Sequence, residues 1–419
     1  MSLPDPPVRR TVSPHAVWPV VLGIGAVAFA LAGPLAGGDP EPAPTGSTVA
    51  SPTAAASPSP SATPIPDVLE GVELDPLQAE RLDELRGFVT WLADNDAAGY
   101  VGEVGWPTSD PGWEPLGRYW YLVAEQEGLW TTAWAAGSHW PDHYALITYG
   151  DGGTGSLDTS SSQATVIEEL QSTRDAASTA SDARHGVNLA GLEFGTGADF
   201  SSASPGELGV QYFAEPVASY AWLAGRGIDL VRLPIRWERL QPEPGSAFDE
   251  AQVAVVSAQL DAATAAGIDV ILDLHNYGSF ASPSGVVTLG SDDLPGSLLA
   301  DVWLRIADAW GDHPAVLGYG MMNEPHDLGG GDERGAAQAW EDMTQATVDA
   351  LRSAGDSHLL LIAGYDWSSL ARWSTTHPTG WIVDPAENFR YEAHHYWDAY
   401  GAGSYDLPYA EELASAYGD

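Results

Sequence analysis

Short apolar runs alternate with longer segments of mixed character along most of the chain beyond residue 68. Residues 79–97 show the longer type, with apolar side chains at helical spacing; these are Leu82, Leu85, Phe88, Val89 and Leu92. The spacing predicts an amphipathic helix. The next segment, 100–104, is a short apolar run that predicts a strand. The same change from helix to strand recurs to the end of the sequence, which indicates a layered α/β protein.

The pattern predicts eight strands, at 100–104, 130–135, 185–192, 229–234, 269–274, 316–322, 359–363 and 390–395. It predicts helices at 79–97, 114–127, 163–170, 216–225, 250–266, 298–310, 337–354 and 409–415. Small polar residues at 174–183 predict a joining loop. Eight strands alternating with helices favour a (β/α)8 TIM barrel. By length alone a doubly wound open sheet is the alternative. However, no G-x-G-x-x-G motif, which would indicate nucleotide binding, follows the first strand before or after the joining loop.

The N-terminal part has a different composition. Arg9 and Arg10 precede an uncharged stretch at 16–38, and Ala30-Leu31-Ala32 resembles a signal-peptide cleavage site. Residues 1–38 are therefore predicted to be a tail plus signal peptide or, if uncut, a signal anchor. Residues 39–67, rich in Pro, Ser, Thr and Ala, predict an extended linker before a globular domain at 68–419. The protein is expected outside the cell, either secreted or tethered to the outer face of the membrane.

Charge and composition narrow the possible partners. The chain has 58 acidic residues against 16 basic ones, all arginine, for a net charge of −42. Such a surface repels nucleic acids and anionic membranes and suits a neutral polymeric partner. The absence of Cys excludes disulfides and thiolate metal sites. The 17 Trp residues are typical of either sugar-binding platforms or ordinary core packing.

Polar and aromatic residues collect where the predicted strands end, which is the edge at which barrel enzymes build their sites. They are Gly102-Glu103, Trp134-Ala135-Ala136-Gly137, Arg232-Leu233-Pro234, His275-Asn276-Tyr277, Asn323-Glu324-Pro325-His326 and His394-His395-Tyr396-Trp397-Asp398. Adjacent histidines on a strand point to opposite faces, and no predicted helix carries a His-x-x-x-His pair. Neither a metal nor a cofactor is therefore expected. The sequence contains no Gly-x-Ser-x-Gly motif of the kind that would suggest an esterase.

The six strand-end motifs together resemble glycoside hydrolase family 5, the cellulase family, over residues 77–419. The resemblance implies a retaining endo-β-1,4-glucanase with Glu103 as nucleophile and Glu324 as acid/base. It also implies that Glu324 is protonated at working pH while Glu103 stays charged. The expected partner is β-glucan, bound by a monomer. Another β-glycanase (a mannanase, β-1,3-glucanase or xyloglucanase) is the alternative within this class, and a non-catalytic carbohydrate-binding barrel is the alternative outside it.

The resemblance also implies roles for residues around the two glutamates. Arg232 would support the charged nucleophile, although a structural ion pair in the barrel wall is an equal alternative. Tyr396 would donate a hydrogen bond to the nucleophile. His275 and His394 would bind substrate hydroxyls or orient the carboxyls, while a buried core histidine is the alternative for each. His395 alternates away from this face.

Two further residues are expected to contact sugar. Asn323 would hydrogen-bond the sugar 2-hydroxyl, a contact that strengthens in the transition state, or would form an Asx turn before Pro325. Trp134 would stack on the sugar ring, with core packing as its alternative. Several other tryptophans are open to either flanking sugar sites or core; they are Trp106, Trp140, Trp237, Trp367 and Trp397.

The order of the motifs departs from the family. There the Gly-Glu and Trp strands are the seventh and eighth, whereas here they come first. The resemblance therefore implies a circularly permuted barrel. Residues 409–413 and 81–85 resemble two parts of one family helix, and 174–183 would bridge the family's natural ends. Such a cut is tolerated because the termini of compact domains often lie close together. Two tandem barrels, each cut short, would leave the same order.

Overall fold

The computed structural model describes residues 67–141, 144–150, 156–176, 182–329 and 331–418. From Val68 onward these form one compact unit. The predicted tail, export segment and linker lie outside the described residues except for Asp67, so their division stays a prediction. Within the described ranges, no helix is both long and apolar enough to cross a bilayer.

Eight parallel strands close into a barrel, and two short strands form a separate hairpin. The strands are β1 (Gly99–Val104), β2 (Trp130–Ala136), β3 (His185–Leu189), β4 (Leu230–Ile235), β5 (Asp269–Leu274), β6 (Ser279–Ser282), β7 (Gly285–Thr288), β8 (Val316–Gly320), β9 (Leu359–Ala363) and β10 (Phe389–His395). Around the barrel the order is β1-β10-β9-β8-β5-β4-β3-β2, with β2 returning to β1. The predicted TIM barrel is confirmed. The antiparallel β6–β7 hairpin was not predicted.

Helices follow most of the barrel strands. They are α1 (Pro76–Asp94), α2 (Glu114–Gln126), α3 (Ser162–Ala176), α4 (Val217–Ala224), α5 (Trp237–Leu240), α6 (Glu250–Ala266), α7 (Ser297–Trp310), α8 (Glu333–Ser353), α9 (Trp373–Thr376) and α10 (Tyr409–Tyr417), with a 3-10 turn at Leu370–Arg372. Local chemistry fixes several ends. Asp75 caps α1 in a reciprocal capping box with Gln78. Gly267, at φ 73°, ends α6 in the left-handed conformation that glycine adopts most easily.

Several predicted boundaries were wrong; α1, for example, spans Pro76–Asp94 and not 79–97. The strand predicted at 185–192 ends at Leu189, because Gly191, at φ 148°, turns the chain out of the ladder. The strand predicted at 316–322 ends at Gly320, and the chain then crosses towards β5. The predicted loop at 174–183 is helical at its start, because α3 continues to Ala176. Residues 177–181 of that loop lie outside the described part of the chain.

Seven tryptophan side chains are among the largest that are fully buried in the described core: Trp106, Trp113, Trp120, Trp237, Trp303, Trp340 and Trp397. Trp106 and Trp397 stack with ring centroids 5.4 Å apart. Three tryptophans that the sequence left open as flanking sugar sites, Trp106, Trp237 and Trp397, are therefore core. Burial of such large side chains supplies much of the hydrophobic stabilisation of the fold.

Candidate active site

Two glutamates from distant parts of the sequence meet at the carboxyl end of the barrel. Glu103 lies on β1, and Glu324 lies four residues beyond β8. One carboxylate oxygen of each, together with a ring nitrogen of His394, all lie within 4.8 Å of one another. Carboxyl groups about 5–5.5 Å apart are typical of retaining glycosidases, whereas inverting enzymes need about 6.5–9.5 Å. The pair therefore has the close spacing.

The local backbone aims both carboxylates into the barrel mouth. Gly102 precedes Glu103 because a Cβ at that position would collide with the carboxylate of Glu392. Glu324 has a left-handed φ of 43°, which residues other than glycine rarely adopt unless their surroundings hold them. The neighbouring Asn323 supplies that hold, since its N–H donates to Leu274 O at 2.8 Å and its carbonyl accepts from the Tyr277 N–H at 3.0 Å.

His394 on β10 lies between the two carboxylates. Its Nδ1 is 2.8 Å from Glu324 Oε1 and 3.7 Å from Glu103 Oε2, and its Nε2 is 3.5 Å from Glu392 Oε1. Burial disfavours the charged ring, but the surrounding carboxylates, Glu103 first, raise the pKa of His394 to about 10. His394 is therefore an imidazolium near neutral pH.

Arg232 on β4 is fully buried and contacts several acidic and amide groups at once. Its nitrogens lie 3.3 Å from Glu103 Oε1, 3.0 Å from Asp273 Oδ1 and 3.1 Å from Glu392 Oε1. They also donate to Asn188 Oδ1 at 2.9 Å and to Asn323 Oδ1 at 2.7 Å. One guanidinium thus contacts both Glu103 and the acidic residues of the barrel wall. This geometry is compatible with both interpretations of Arg232, and its support of a nucleophile stays a prediction.

Glu103 is only 4% exposed, and its environment acts on its charge in both directions. Burial raises the pKa of Glu103, as does the like charge of Glu324, while His394 and Arg232 oppose the rise. Tyr396 donates its hydroxyl to Glu103 Oε2 at 2.7 Å. Hydrogen bonds to the charged form stabilise it. The donors around Glu103 therefore act to keep a deeply buried carboxylate ionised.

His275 is held in one tautomer. Its Nδ1 lies 2.8 Å from Asp273 Oδ2, and its Nε2 lies 3.0 Å from the Tyr277 hydroxyl. Burial lowers the pKa of His275 to about 3, so the ring is neutral, with Nδ1–H donating to Asp273 and Nε2 accepting. Burial also raises the pKa of Asp273 to about 7, although Arg232 opposes the rise.

Trp134, near the end of β2, is half-buried, and its ring lies beside His275. Its ring lies parallel to that of His275, at a centroid distance of 5.5 Å and an angle of 12°. The indole N–H donates to the Tyr144 hydroxyl at 2.7 Å, and Tyr144 in turn stacks on Trp140. Trp134 is thus fixed in orientation and keeps part of its surface open.

All eight residues singled out from the sequence belong to this one network: Glu103, Trp134, Arg232, His275, Asn323, Glu324, His394 and Tyr396. His395 points away from it, towards Trp120 and Glu84. Sequence reasoning missed Asp273 and Glu392. Strand alternation could have found both, since each lies two residues before a site histidine and therefore on the same face.

Comparisons with known proteins support one family. The family model for cellulase (glycosyl hydrolase family 5) matches residues 195–416. A manganese dependent endoglucanase, Eg5A, from Phanerodontia chrysosporium is 29% identical over 45% of this chain and 45% of its own length. Endo-beta-1,4-glucanase B of Emericella nidulans is 27% identical over 55% of this chain and 64% of its own. This chain therefore spans less than two thirds of either relative.

Among solved structures, the endoglucanase Cel5A of Pseudomonas stutzeri is similar to this chain at 35% identity. The match covers 55% of this chain and 66% of that one, with a TM-score of 0.47.

Proposed function

The chain belongs to glycosyl hydrolase family 5, the cellulase family, and we propose that it is a retaining endo-β-1,4-glucanase. Glu103 is the nucleophile and Glu324 the general acid/base. The observation that carries the proposal is the approach of their carboxylate oxygens to within 4.8 Å. This approach agrees with the close carboxyl spacing that a covalent glycosyl-enzyme intermediate requires.

The first step of the reaction forms a glycosyl-enzyme. An oxygen of Glu103 attacks the anomeric carbon, the bond from that carbon to the glycosidic oxygen breaks, and the leaving oxygen takes the proton of Glu324. In the second step Glu324, now a carboxylate, removes a proton from water. The resulting hydroxide attacks the anomeric carbon and releases Glu103. Both steps pass through an oxocarbenium-like transition state.

The cationic and hydrogen-bond-donating side chains around Glu103 and Glu324 have different roles. Arg232 and Tyr396 contact Glu103 and favour its charged form, which the attack requires. His394 donates to Glu324 Oε1 at 2.8 Å, and this bond stabilises the carboxylate that remains once Glu324 has given up its proton. Glu103 and Glu324 thus differ in their hydrogen-bond partners, which are Arg232 and Tyr396 for Glu103 and His394 for Glu324.

The remaining residues of the network face the sugar. Asn323 uses its amide oxygen on Arg232, and its amide nitrogen lies 3.3 Å from His275 Nε2. The second hydrogen of that NH2 group is left for the 2-hydroxyl. His275, neutral and oriented by Asp273, holds the Tyr277 hydroxyl and the Asn323 amide at its Nε2 and so orients Asn323 towards the sugar. Trp134 offers its open ring surface to the sugar ring at the cleavage subsite. The substrate is a β-glucan and not a nucleic acid, the enzyme acts as a monomer, and no cofactor takes part.

The test is hydrolysis of carboxymethyl-cellulose by the wild type and by Glu103→Gln and Glu324→Gln. Each substitution removes the carboxylate but keeps the shape, so activity should fall about a thousandfold or more. Glu127→Gln is the matched control, because this exposed residue follows α2 on the outside of the barrel. Full activity in either site variant would exclude the assignment and favour another catalytic pair, whereas an inactive wild type would favour a binding barrel.

Product analysis separates the remaining alternatives. Proton NMR of the first product should show the β anomer before mutarotation, since two displacements retain configuration. Early release of the α anomer would refute the retaining mechanism. A parallel panel of β-1,3-glucan, mannan and xyloglucan tests the substrate class, and faster cleavage of any of these than of β-1,4-glucan would replace the substrate proposed.

We also propose that the barrel is a circular permutant of the family form. In support, the family match at 195–416 begins after β1 and β2, which carry the two motifs that resemble the last two strands of the family. A gene re-cut to run from 182 to 418 and then from 68 to 176 should yield an active barrel. Failure of this re-cut chain to fold would count against the permutation.

Export is proposed from the sequence of the N-terminus. Arg9 and Arg10 before the apolar stretch at 16–38 suit either a cleaved signal or a membrane tether, with the barrel on the outer side. Mass analysis of protein recovered from the medium and from membranes would distinguish the two. Retention of the intact chain in the cytoplasm would refute both.

A further inference from the structure

The loop after β10, residues 398–405, is closed by one buried carboxylate. Asp398 is 3% exposed. Its Oδ1 accepts the Gly403 N–H at 2.8 Å, and its Oδ2 lies 3.3 Å from both the Ala402 N–H and the Ser404 hydroxyl. Its carbonyl also accepts the Gly401 N–H at 2.8 Å. Three side-chain contacts and one backbone contact therefore fix this short loop at a single residue.

The loop rests on the ring of Tyr396. Gly403 has a φ of 70°, and a Cβ there would lie 3.0 Å from Cδ1 and 3.1 Å from Cε1 of that ring. The bare glycine backbone thus packs against the aromatic ring at a distance that a side chain would not permit. The hydroxyl of the same ring donates to Glu103 Oε2. Gly403 consequently limits how far this hydroxyl can move from the nucleophile.

The far end of the loop connects the two strands that carry Tyr396 and Glu103. The hydroxyl of Tyr405 donates to Gly105 O at 2.5 Å and accepts from the Trp397 N–H at 3.1 Å. Gly105 follows Glu103 by two residues, and Trp397 directly follows Tyr396. The Tyr405 ring is buried and packs edge-on against Trp113. The loop therefore contacts the Tyr396 ring and, through Tyr405, the backbone one residue beyond Tyr396 and two residues beyond Glu103.

We propose that Asp398 is a positioning residue of the reaction, acting through the 398–405 loop to hold the Tyr396 hydroxyl on the nucleophile Glu103. This inference rests on the proposed function of Glu103. The Asp398 carboxylate bonds to residues of its own loop and not to Glu103 or Glu324. When its carboxylate is removed, the loop loses its closure, the Tyr396 ring gains freedom, and the Glu103 carboxylate loses a donor. A carboxylate that loses a donor is harder to ionise.

The experiment is the pH dependence of kcat/KM for Asp398→Ala, Asp398→Asn and Tyr396→Phe. Loss of a hydrogen bond to a charged group predicts about a tenfold fall in kcat/KM. The acid limb should move to higher pH by about half a unit or more, because the free enzyme needs Glu103 ionised. Asp398→Asn, which keeps one acceptor oxygen, should lie between the wild type and Asp398→Ala.

A matched control and a double variant separate positioning from a general loss of structure. Asp406→Ala removes the same charge from an exposed residue near the same loop and should leave the profile unchanged. In the Tyr396→Phe background, Asp398→Ala should cause little further loss, since both act on one hydrogen bond. Fully additive losses, or an acid limb that stays at its wild-type position in Asp398→Ala, would overturn the inference.

Two further measurements keep the inference testable if Asp398→Ala unfolds or if no substrate is found. Gly403→Ala keeps Asp398 but pushes a methyl group against the Tyr396 ring, so it should shift the acid limb in the same direction. The Glu103 titration can also be followed by carbon-13 NMR of glutamate-labelled protein, with Glu103→Gln for assignment. A Glu103 titration unmoved in Gly403→Ala and Asp398→Asn would refute the positioning role, whereas an inactive wild type on all β-glycans would refute only the proposed function.

Discussion

Arg232→Met would remove a buried guanidinium that lies between three carboxylates. The ion pairs with Asp273 at 3.0 Å, Glu392 at 3.1 Å and Glu103 at 3.3 Å would all disappear. Methionine is flexible and of similar length, so it can fill most of the space. The change is therefore mainly electrostatic, and its cost should depend on pH.

The expected loss of unfolding free energy in Arg232→Met can be worked out from the protonation of Glu392. Burial would raise the pKa of Glu392, but the charge of Arg232, followed by His394, lowers it overall. Without Arg232 this carboxyl must take up a proton in the folded state, which costs about 1.4 kcal/mol for each pH unit above its unfolded pKa. That is about 5 kcal/mol near pH 8 and about 1 kcal/mol near pH 5. The first figure agrees with the loss of about 3–5 kcal/mol known for breaking one side of a buried ion pair.

The contribution of Glu392 to stability changes with pH in opposite directions in the wild type and in Arg232→Met. In the wild type the lowered pKa of Glu392 contributes stability above its unfolded pKa, and this is lost as pH falls. In Arg232→Met the raised pKa makes the folded state bind more protons, so stability falls as pH rises above the unfolded value. The difference in unfolding free energy between the two proteins should therefore widen from pH 5 to pH 8.

Urea unfolding followed by tryptophan fluorescence at the two pH values measures this difference. Arg118→Met is the control, because its guanidinium pairs with Glu114 and Glu169 at a side-chain exposure of 39%. Such an exposed pair should cost less than about 1 kcal/mol at either pH. An Arg232→Met deficit that is the same at both pH values, or below about 1 kcal/mol near pH 8, would refute the electrostatic reasoning.

Two further predictions concern substrate binding and helix capping. Trp134→Ala should raise KM for cello-oligosaccharides about tenfold or more by removing the ring stacked parallel to His275, whereas Trp222→Phe on α4 should not; steady-state kinetics with equal KM in all three proteins would contradict the sugar-platform role. Asp75→Ala should lower the unfolding free energy by about 1–2 kcal/mol because it abolishes the capping box with Gln78. Denaturant unfolding checks this, and Asp75→Asn should recover most of the loss; an Ala variant as stable as wild type would show that the cap is unimportant.

The barrel was predictable because its strands are uniformly buried. Segments such as 269–274 and 359–363 appear in the sequence as short apolar runs, and their predicted bounds match β5 and β9. A residue buried on both faces of a sheet has little choice of side chain, so the local pattern suffices. The strand-end position of the site follows from the same geometry, since parallel strands bring all their carboxyl ends to one rim.

The ionisation of the site could not be predicted, since it depends on groups brought together from distant strands. His394 is charged only because three carboxylates surround it, and His275 is neutral because burial outweighs nearby charge. The sequence shows two histidines in similar motifs and gives no reason for their difference. Asp273 and Glu392 were missed because each interrupts an apolar strand, although strand alternation places each on the same face as a site histidine.

Closure of the ring has a consequence for how the protein is made. β1 pairs with β10, so strands from near the two ends of the barrel sequence lie side by side. The hydrogen bond between Tyr396 and Glu103 likewise joins residues 293 positions apart. Contacts this far apart are slow to form, and here β10 is the last of the eight strands to emerge from the ribosome. A nascent or truncated chain lacking β10 would therefore leave Glu103 without two of its neighbours, so hydrolysis should appear only after synthesis of the barrel is complete.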